Sequence, residues 1–320
     1  MRLLILLTTL FFMSIPSAFS HTLLSQPMQQ QIASGTLYGT LLLPKRDYPV
    51  PIALIIAGSG PTDRDGNNPQ AHSDTLKKLA YALARQGVAS LRYDKRGIAA
   101  SRATAVDERQ LSLEGYVEDA LSWSRTLKAD PRFGPLLLVG HSEGALIASL
   151  AAPRSGATAL ISLAGSGRPI DQLLREQLQG RLPPPLLASA GYLLDELKAG
   201  RQVPEVPDTL DALFRPSVQP YLISLLRQDP ARAMANAGVP TLIVQGLNDI
   251  QVQAADARRL HAARPDAQLS LIEGMNHMLR IVPEHGIRQL ASYDDAERPI
   301  AHELLKAIGE FLRNNAILPA

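Results

Sequence analysis

Gly140-His141-Ser142-Glu143-Gly144 forms a G-x-S-x-G pentapeptide. Its serine becomes a nucleophile for a carbonyl carbon when the chain presents it on a sharp turn between a strand and a helix. The flanks predict that turn: Pro135-Leu136-Leu137-Leu138-Val139 is an apolar run of strand length, and Ala145 to Ala152 reads as a helix. The two glycines let strand and helix approach closely and leave room for a strained backbone at Ser142 that pushes its hydroxyl above the sheet. A serine is a poor nucleophile until a base takes its proton, and the base needs a third group to hold its tautomer. Where strands run parallel, such partners come from loops at the strands' carboxyl ends. Asp249 lies just beyond the predicted strand Thr241 to Gln245, and His277 just beyond Gln268 to Ile272. His285 competes with His277 for the role of base, because the two could share one loop.

The elements that must position these residues follow from periodicity. Met28 to Ala33 and Thr36 to Leu43 read as a hairpin turning at Ser34-Gly35. Ile52 to Ala57 and Val88 to Tyr93 are further strands, the first a continuous apolar run of the kind buried on both faces. Thr75 to Gln86 carries an i, i+3, i+4 apolar stripe stopped by Gly87, and Leu113 to Lys128 is a second amphipathic helix ended by Asp130-Pro131. After Ala159 to Ala164 the alternation stops. Residues 165–237 instead hold leucine-rich helical pieces, Ile170 to Leu178, Leu186 to Leu197 and Tyr221 to Leu226, broken by prolines, which read as a helical insertion. The alternation resumes with strand Thr241 to Gln245, helix Gln253 to Ala263, strand Gln268 to Ile272 and a terminal helix Pro299 to Arg313. Strands alternating with amphipathic helices predict an α/β fold with a mostly parallel central sheet covered on both faces.

The first 20 residues stand apart. Arg2 precedes an apolar run from Leu3 to Met13, Pro16 follows, and Ala18-Phe19-Ser20 places small residues where a signal peptidase reads them. This predicts a secretory signal peptide over 1–20, cleaved after about Ser20, and a mature chain over 21–320 that is periplasmic or extracellular. The apolar run is well short of the ~20 residues that span a bilayer, so no stable membrane anchor is expected. The chain has 320 residues, 46% hydrophobic and 19% charged, enough for one large core or two modest ones. Its net charge of +2 is interspersed rather than blocked, which speaks against nucleic acid or an anionic membrane as partner. Absence of cysteine excludes a thiolate nucleophile, a thiolate metal site and lipidation at a mature N-terminal cysteine.

Six segments together resemble the α/β-hydrolases, over the whole mature length apart from the insertion. Gly35-Thr36-Leu37-Tyr38-Gly39-Thr40-Leu41-Leu42-Leu43-Pro44 resembles the opening hairpin of the family's bacterial secreted esterase branch, and Gly58-Ser59-Gly60-Pro61-Thr62-Asp63-Arg64-Asp65-Gly66-Asn67 resembles that branch's replacement for the His-Gly turn found elsewhere in the family. Tyr93-Asp94-Lys95-Arg96-Gly97 with Ser101 resembles the family's turn after its fourth strand; the elbow and the Asp249 and His277 segments complete the set. The resemblance implies a triad of Ser142, Asp249 and His277. It also implies an oxyanion hole built from the backbone N–H groups of Glu143 and of Ser59, with Gly60 as the alternative to Ser59. Asp63, Arg64, Asp65, Asp94 and Arg96 are expected to form a polar network holding the two turns together, and His141 to pack within the elbow. A calcium site among these aspartates is conceivable but lacks regular ligand spacing.

The implied protein is an exported serine hydrolase of small-molecule carboxylic esters, short acyl esters in particular. It needs no cofactor or metal, and the insertion at about 165–237 forms a cap whose leucines line a pocket. Peptide or amide hydrolysis uses the same triad and stays open from sequence. A binding protein on a hydrolase scaffold is a third reading, against which the complete triad argues.

Overall fold

The computed structural model describes residues 23–319, so the segment read as an export signal lies outside the described residues. Eight strands form one sheet: β1 (Leu23–Ile32), β2 (Gly35–Pro44), β3 (Val50–Ile56), β4 (Ala89–Tyr93), β5 (Phe133–His141), β6 (Ala159–Leu163), β7 (Thr241–Gly246) and β8 (Gln268–Ile272). Their spatial order is β1-β2-β4-β3-β5-β6-β7-β8. The hairpin β1–β2 is antiparallel and joins β4 antiparallel, while every pair from β4 through β8 is parallel.

Strands buried on both faces need apolar residues at successive positions, and β3 supplies them. Leu54 and Ile56 pack with Trp123 and Leu127 of α2 (Leu113–Ala129) and with Ile147 of α3 (Glu143–Ser155). Their neighbours Ala53 and Ile55 face the other way, toward Leu79 and Leu83 of α1 (Thr75–Arg85). Ser112 caps α2 by accepting a hydrogen bond from the Gly115 N–H at 3.0 Å, which satisfies one of the helix's open donors.

Five helices occupy the stretch between β6 and β7: α4 (Ile170–Leu178), α5 (Pro184–Lys198), α6 (Asp208–Phe214), α7 (Gln219–Leu226) and α8 (Pro230–Ala235). The sequence reading treats the prolines here as breaks. Several of them start helices instead, since Pro184, Pro220 and Pro230 sit in first turns, where a missing N–H costs nothing. α6 and α8, each under two turns, carry too little periodicity to be read from sequence. α5, α6 and α7 enclose a small core of their own around Leu194, Leu197, Phe214 and Leu222, separate from the two that flank the sheet. The remaining helices, α9 (Ala254–Ala263) and α10 (His302–Asn314), follow β7 and lie near the C-terminus.

Register brings the functional loops together. Ile56 pairs with Gly140, so the turn after β3 leaves the sheet beside the turn after β5; Gly246 pairs with Ile272, so the loops after β7 and β8 leave side by side.

Candidate active site

Ser142 joins β5 to α3 with φ 56° and ψ −120°, a conformation L-residues rarely adopt. Two close approaches hold it there. A Cβ on Gly140 would stand 2.1 Å from the Gly144 carbonyl oxygen, and one on Gly144 would stand 2.2 Å from that of Ile56, so only glycines let the helix start this close to the sheet. The Ser142 N–H donates to the Leu163 carbonyl at 2.9 Å, tying the turn to the end of β6.

Asp249 and His277 meet by the same device. A Cβ on Gly246 would stand 2.0 Å from the Met275 carbonyl oxygen, and the Asn248 N–H donates to that oxygen at 3.0 Å, clamping the β7 loop against the β8 loop. Asp249 Oδ2 then lies 2.7 Å from His277 Nδ1 and accepts from Gln245 Nε2 at 2.9 Å. Its Oδ1 accepts the N–H groups of Gln251 and Val252 at 2.7 and 3.0 Å. Burial alone would push this carboxyl up. The His277 ring and the two backbone donors outweigh it and hold Asp249 below the usual carboxylate range, ionised and aimed at His277. His285 takes a different partner, with Nδ1 3.1 Å from Asn248 Oδ1.

His141 does more than pack. Its Nε2 donates to the His277 carbonyl at 2.8 Å, and the two rings stand 4.9 Å apart. Burial, with the His277 ring adding to it, pushes His141 down to about 4, so at neutral pH it is uncharged and keeps its Nε2 proton for that carbonyl.

Ser142, Ser59 and Glu143 line one cavity of about 380 Å³, roofed by Leu173 and Leu174 of α4, Leu213 of α6, and Tyr221, Leu222 and Leu225 of α7. The leucines of α5 do not reach it; Leu193, Leu194 and Leu197 pack in the helical core behind. The cavity's two arginines are both neutralised. Arg168 pairs with Asp256 at 2.9 Å and with Glu176, and Arg215 pairs with Glu108 at 2.6 Å. Its one carboxylate, Glu143, is engaged by the Lys95 ammonium at 3.4 Å. A wider hollow of about 720 Å³, bordered by Leu43 to Val50 and Pro131-Arg132, lies at the amino ends of β3 and β5, away from the elbow.

The polar network differs in part from expectation. Arg64 does join its turn to the one after β4, reaching Asp94 Oδ2 at 2.6 Å while its N–H donates to Asp94 Oδ1 at 2.8 Å. Asp65 pairs with Arg92 at 3.0 Å. Arg96, however, turns to α2 and pairs with Asp119 at 2.6 Å, because that buried carboxylate needs a counter-charge. Asp63 Oδ1 accepts the N–H groups of Asp65 and Asn67 and shapes its own loop. Among the described residues no group of three or more histidine or acidic side chains is placed to hold a metal ion. Lys95 was missed by sequence reasoning. A lysine two residues after a fully buried strand, at the end where the loops converge, was the available signal.

An eight-stranded, mostly parallel sheet with a serine on the turn after its central strand, and an Asp–His pair on later loops, defines the α/β-hydrolase fold. Residues 70–282 match the hydrolase family described as serine aminopeptidase, S33, and the chain belongs to that serine hydrolase family. The chain is 27% identical over 265 residues to Esterase EstD of Thermotoga maritima, a match covering 78% of this chain and 60% of the relative's length. Among solved structures, Est1E from Butyrivibrio proteoclasticus superposes with a TM-score of 0.60 at 19% identity, covering 91% of this chain and 98% of that one. The esterase domain of a Rhodothermus marinus protein gives 0.56 at 19% identity, covering 91% and 98%.

Proposed function

We propose that the protein is an exported serine esterase acting on small, uncharged carboxylic esters. Ser142 is the nucleophile, His277 the base and then the acid, and Asp249 the group that orients His277. The Ser142 hydroxyl adds to the ester carbonyl as its proton passes to His277. The alcohol leaves with that proton, and water, deprotonated by His277, releases the acid from the acyl-enzyme. The N–H groups of Ser59 and Glu143 carry the charge on the tetrahedral oxygen, and the helix N-terminus at Glu143 adds its dipole. The helices over residues 165–237 act as the cap. Export rests on Arg2 and the apolar run Leu3 to Met13, and the secreted-esterase affinity on Gly58 to Asn67.

The 2.7 Å bond between Asp249 and His277 carries the hydrolase reading. The family's description makes an aminopeptidase the second reading, and the charges lining the cavity favour the ester over it. A peptide amino terminus is an ammonium that needs an unengaged carboxylate. The cavity's carboxylate is held by Lys95, and its other charged side chains are arginines. Esters of p-nitrophenol with increasing acyl length, run beside aminoacyl p-nitroanilides, test the choice. Ester turnover should exceed anilide turnover by orders of magnitude, and faster anilide cleavage would give the site to a peptidase.

A further inference from the structure

Lys95 follows β4 and is almost completely buried, with its side chain 1% exposed. Buried ammonium groups need partners, and Lys95 has three: the Gly58 carbonyl, to which it donates, the Glu143 carboxylate at 3.4 Å, and the Tyr116 ring, whose centre lies 5.1 Å away. The first belongs to the turn after β3 and the second to the elbow that carries Ser142. Gly58 lies beside Ser142: a Cβ added to it would stand 3.2 Å from Ser142 Cβ.

We propose that Lys95 is a positioning residue for the oxyanion site, fixing the Gly58–Ser59 peptide so that the Ser59 N–H faces the carbonyl oxygen above Ser142. The inference rests on the esterase reading given above. A trans peptide is planar, with C=O and N–H pointing in opposite directions, so anchoring the Gly58 oxygen inward on Lys95 aims the Ser59 N–H outward toward the cavity that Ser59 lines. The ammonium also polarises that amide and makes its N–H a stronger donor. The same lysine holds the side chain of Glu143, whose own N–H is the second donor. One buried charge therefore sets the spacing between both donors before substrate arrives. Burial works against the charge on Lys95 and pulls its pKa down, and Glu143 opposes that pull.

The test separates positioning from mere support. Lys95→Met should lower kcat on a p-nitrophenyl ester by about 10- to 100-fold with KM within twofold, somewhat less than outright loss of an oxyanion donor. Phenylboronic acid is captured when the serine oxygen adds to boron and its proton passes to His277, leaving an anionic tetrahedral boronate in the same site. Its affinity should fall by a similar factor. Because removing one partner of a buried pair destabilises while replacing both with apolar groups is often neutral, Lys95→Met/Glu143→Leu should recover much of the melting temperature lost in Lys95→Met. It should not recover kcat. Unchanged kcat in Lys95→Met, a loss confined to KM, or recovery of kcat together with melting temperature in the double variant would each overturn the role. A wild-type protein that neither hydrolyses esters nor reacts with a fluorophosphonate would overturn the esterase reading and this inference with it. An active wild type with an equally active Lys95→Met would overturn the inference alone.

Discussion

The imidazole of His141 donates from Nε2 to the main-chain carbonyl of His277 at 2.8 Å, so the residue before Ser142 holds the loop that carries His277. This links the elbow to the β8 loop without using the side chain of Ser142 or of His277, and burial keeps His141 neutral there at physiological pH.

That burial gives a pH dependence with a definite sign. His141 is pushed down to about 4 in the folded protein from 6.5, so from pH 6.5 toward 4 the unfolded chain binds a proton that the folded one does not. Stability therefore falls with pH across that window, by about 3 kcal/mol for the full shift, and is unaffected above it. His141→Gln keeps an N–H donor but cannot titrate, so urea unfolding at pH 7, 5.5 and 4.5 should show a shallower acid decline in the variant. Parallel declines would assign the acid sensitivity elsewhere.

Asp249→Asn should lower kcat by about 10⁴-fold with the fold retained, because the amide no longer fixes the His277 tautomer or balances its charge. Asp249 is also held below the ordinary carboxylate range, so its contribution to stability is present above that range and is lost as pH falls through its depressed folded value. Steady-state kinetics with circular dichroism as the fold control check the first claim. His285→Ala, whose ring contacts Asn248 instead, should leave kcat within a few-fold.

The elbow depends on backbone clearance. Gly140→Ala places a methyl 2.1 Å from the Gly144 carbonyl oxygen, a backbone atom that cannot swing aside, and should destabilise the protein by more than about 3 kcal/mol or prevent folding. Expression yield and denaturant midpoint read this directly. A variant of wild-type stability would mean that β5 and α3 stand further apart than a 2.1 Å clearance allows.

The helices between β6 and β7 divide into a cavity-facing layer and a backing layer, and the two should respond differently. Leu222→Phe narrows the cavity and should shift preference toward shorter acyl chains. Leu194→Ala removes a core side chain behind it and should cost about 2–4 kcal/mol with little change in chain-length preference. Denaturation midpoints and kcat/KM across an ester series separate the two outcomes.

What could be read from sequence follows the physics of each feature. The eight strands and the carboxyl-end positions of Ser142, Asp249 and His277 are written in local patterns: apolar runs of strand length, glycines at the elbow, and a fixed chain order. Residues whose role is set by a distant partner were not legible. Arg96 looked like part of the turn network until Asp119, 23 positions on, claimed it. Lys95 looked like a turn residue, yet it bridges Gly58 and Glu143, 37 and 48 positions away in the chain. The leucines of the insertion read as pocket lining, and those of α4, α6 and α7 do line it while those of α5 do not. Leucine content reports burial, however, and that helix is buried against its neighbours rather than against the cavity.

The central claim is that Ser142 is the nucleophile of a hydrolase, and reaction with a fluorophosphonate followed by peptide mass mapping tests it most directly. The serine oxygen displaces fluoride at phosphorus while His277 takes its proton, so the wild type should carry one adduct, on the peptide containing Ser142. Ser142→Ala should carry none while remaining folded, and should hydrolyse p-nitrophenyl esters at least about 10⁴-fold more slowly. An adduct on another serine, or ester turnover in Ser142→Ala close to that of the wild type, would contradict the account.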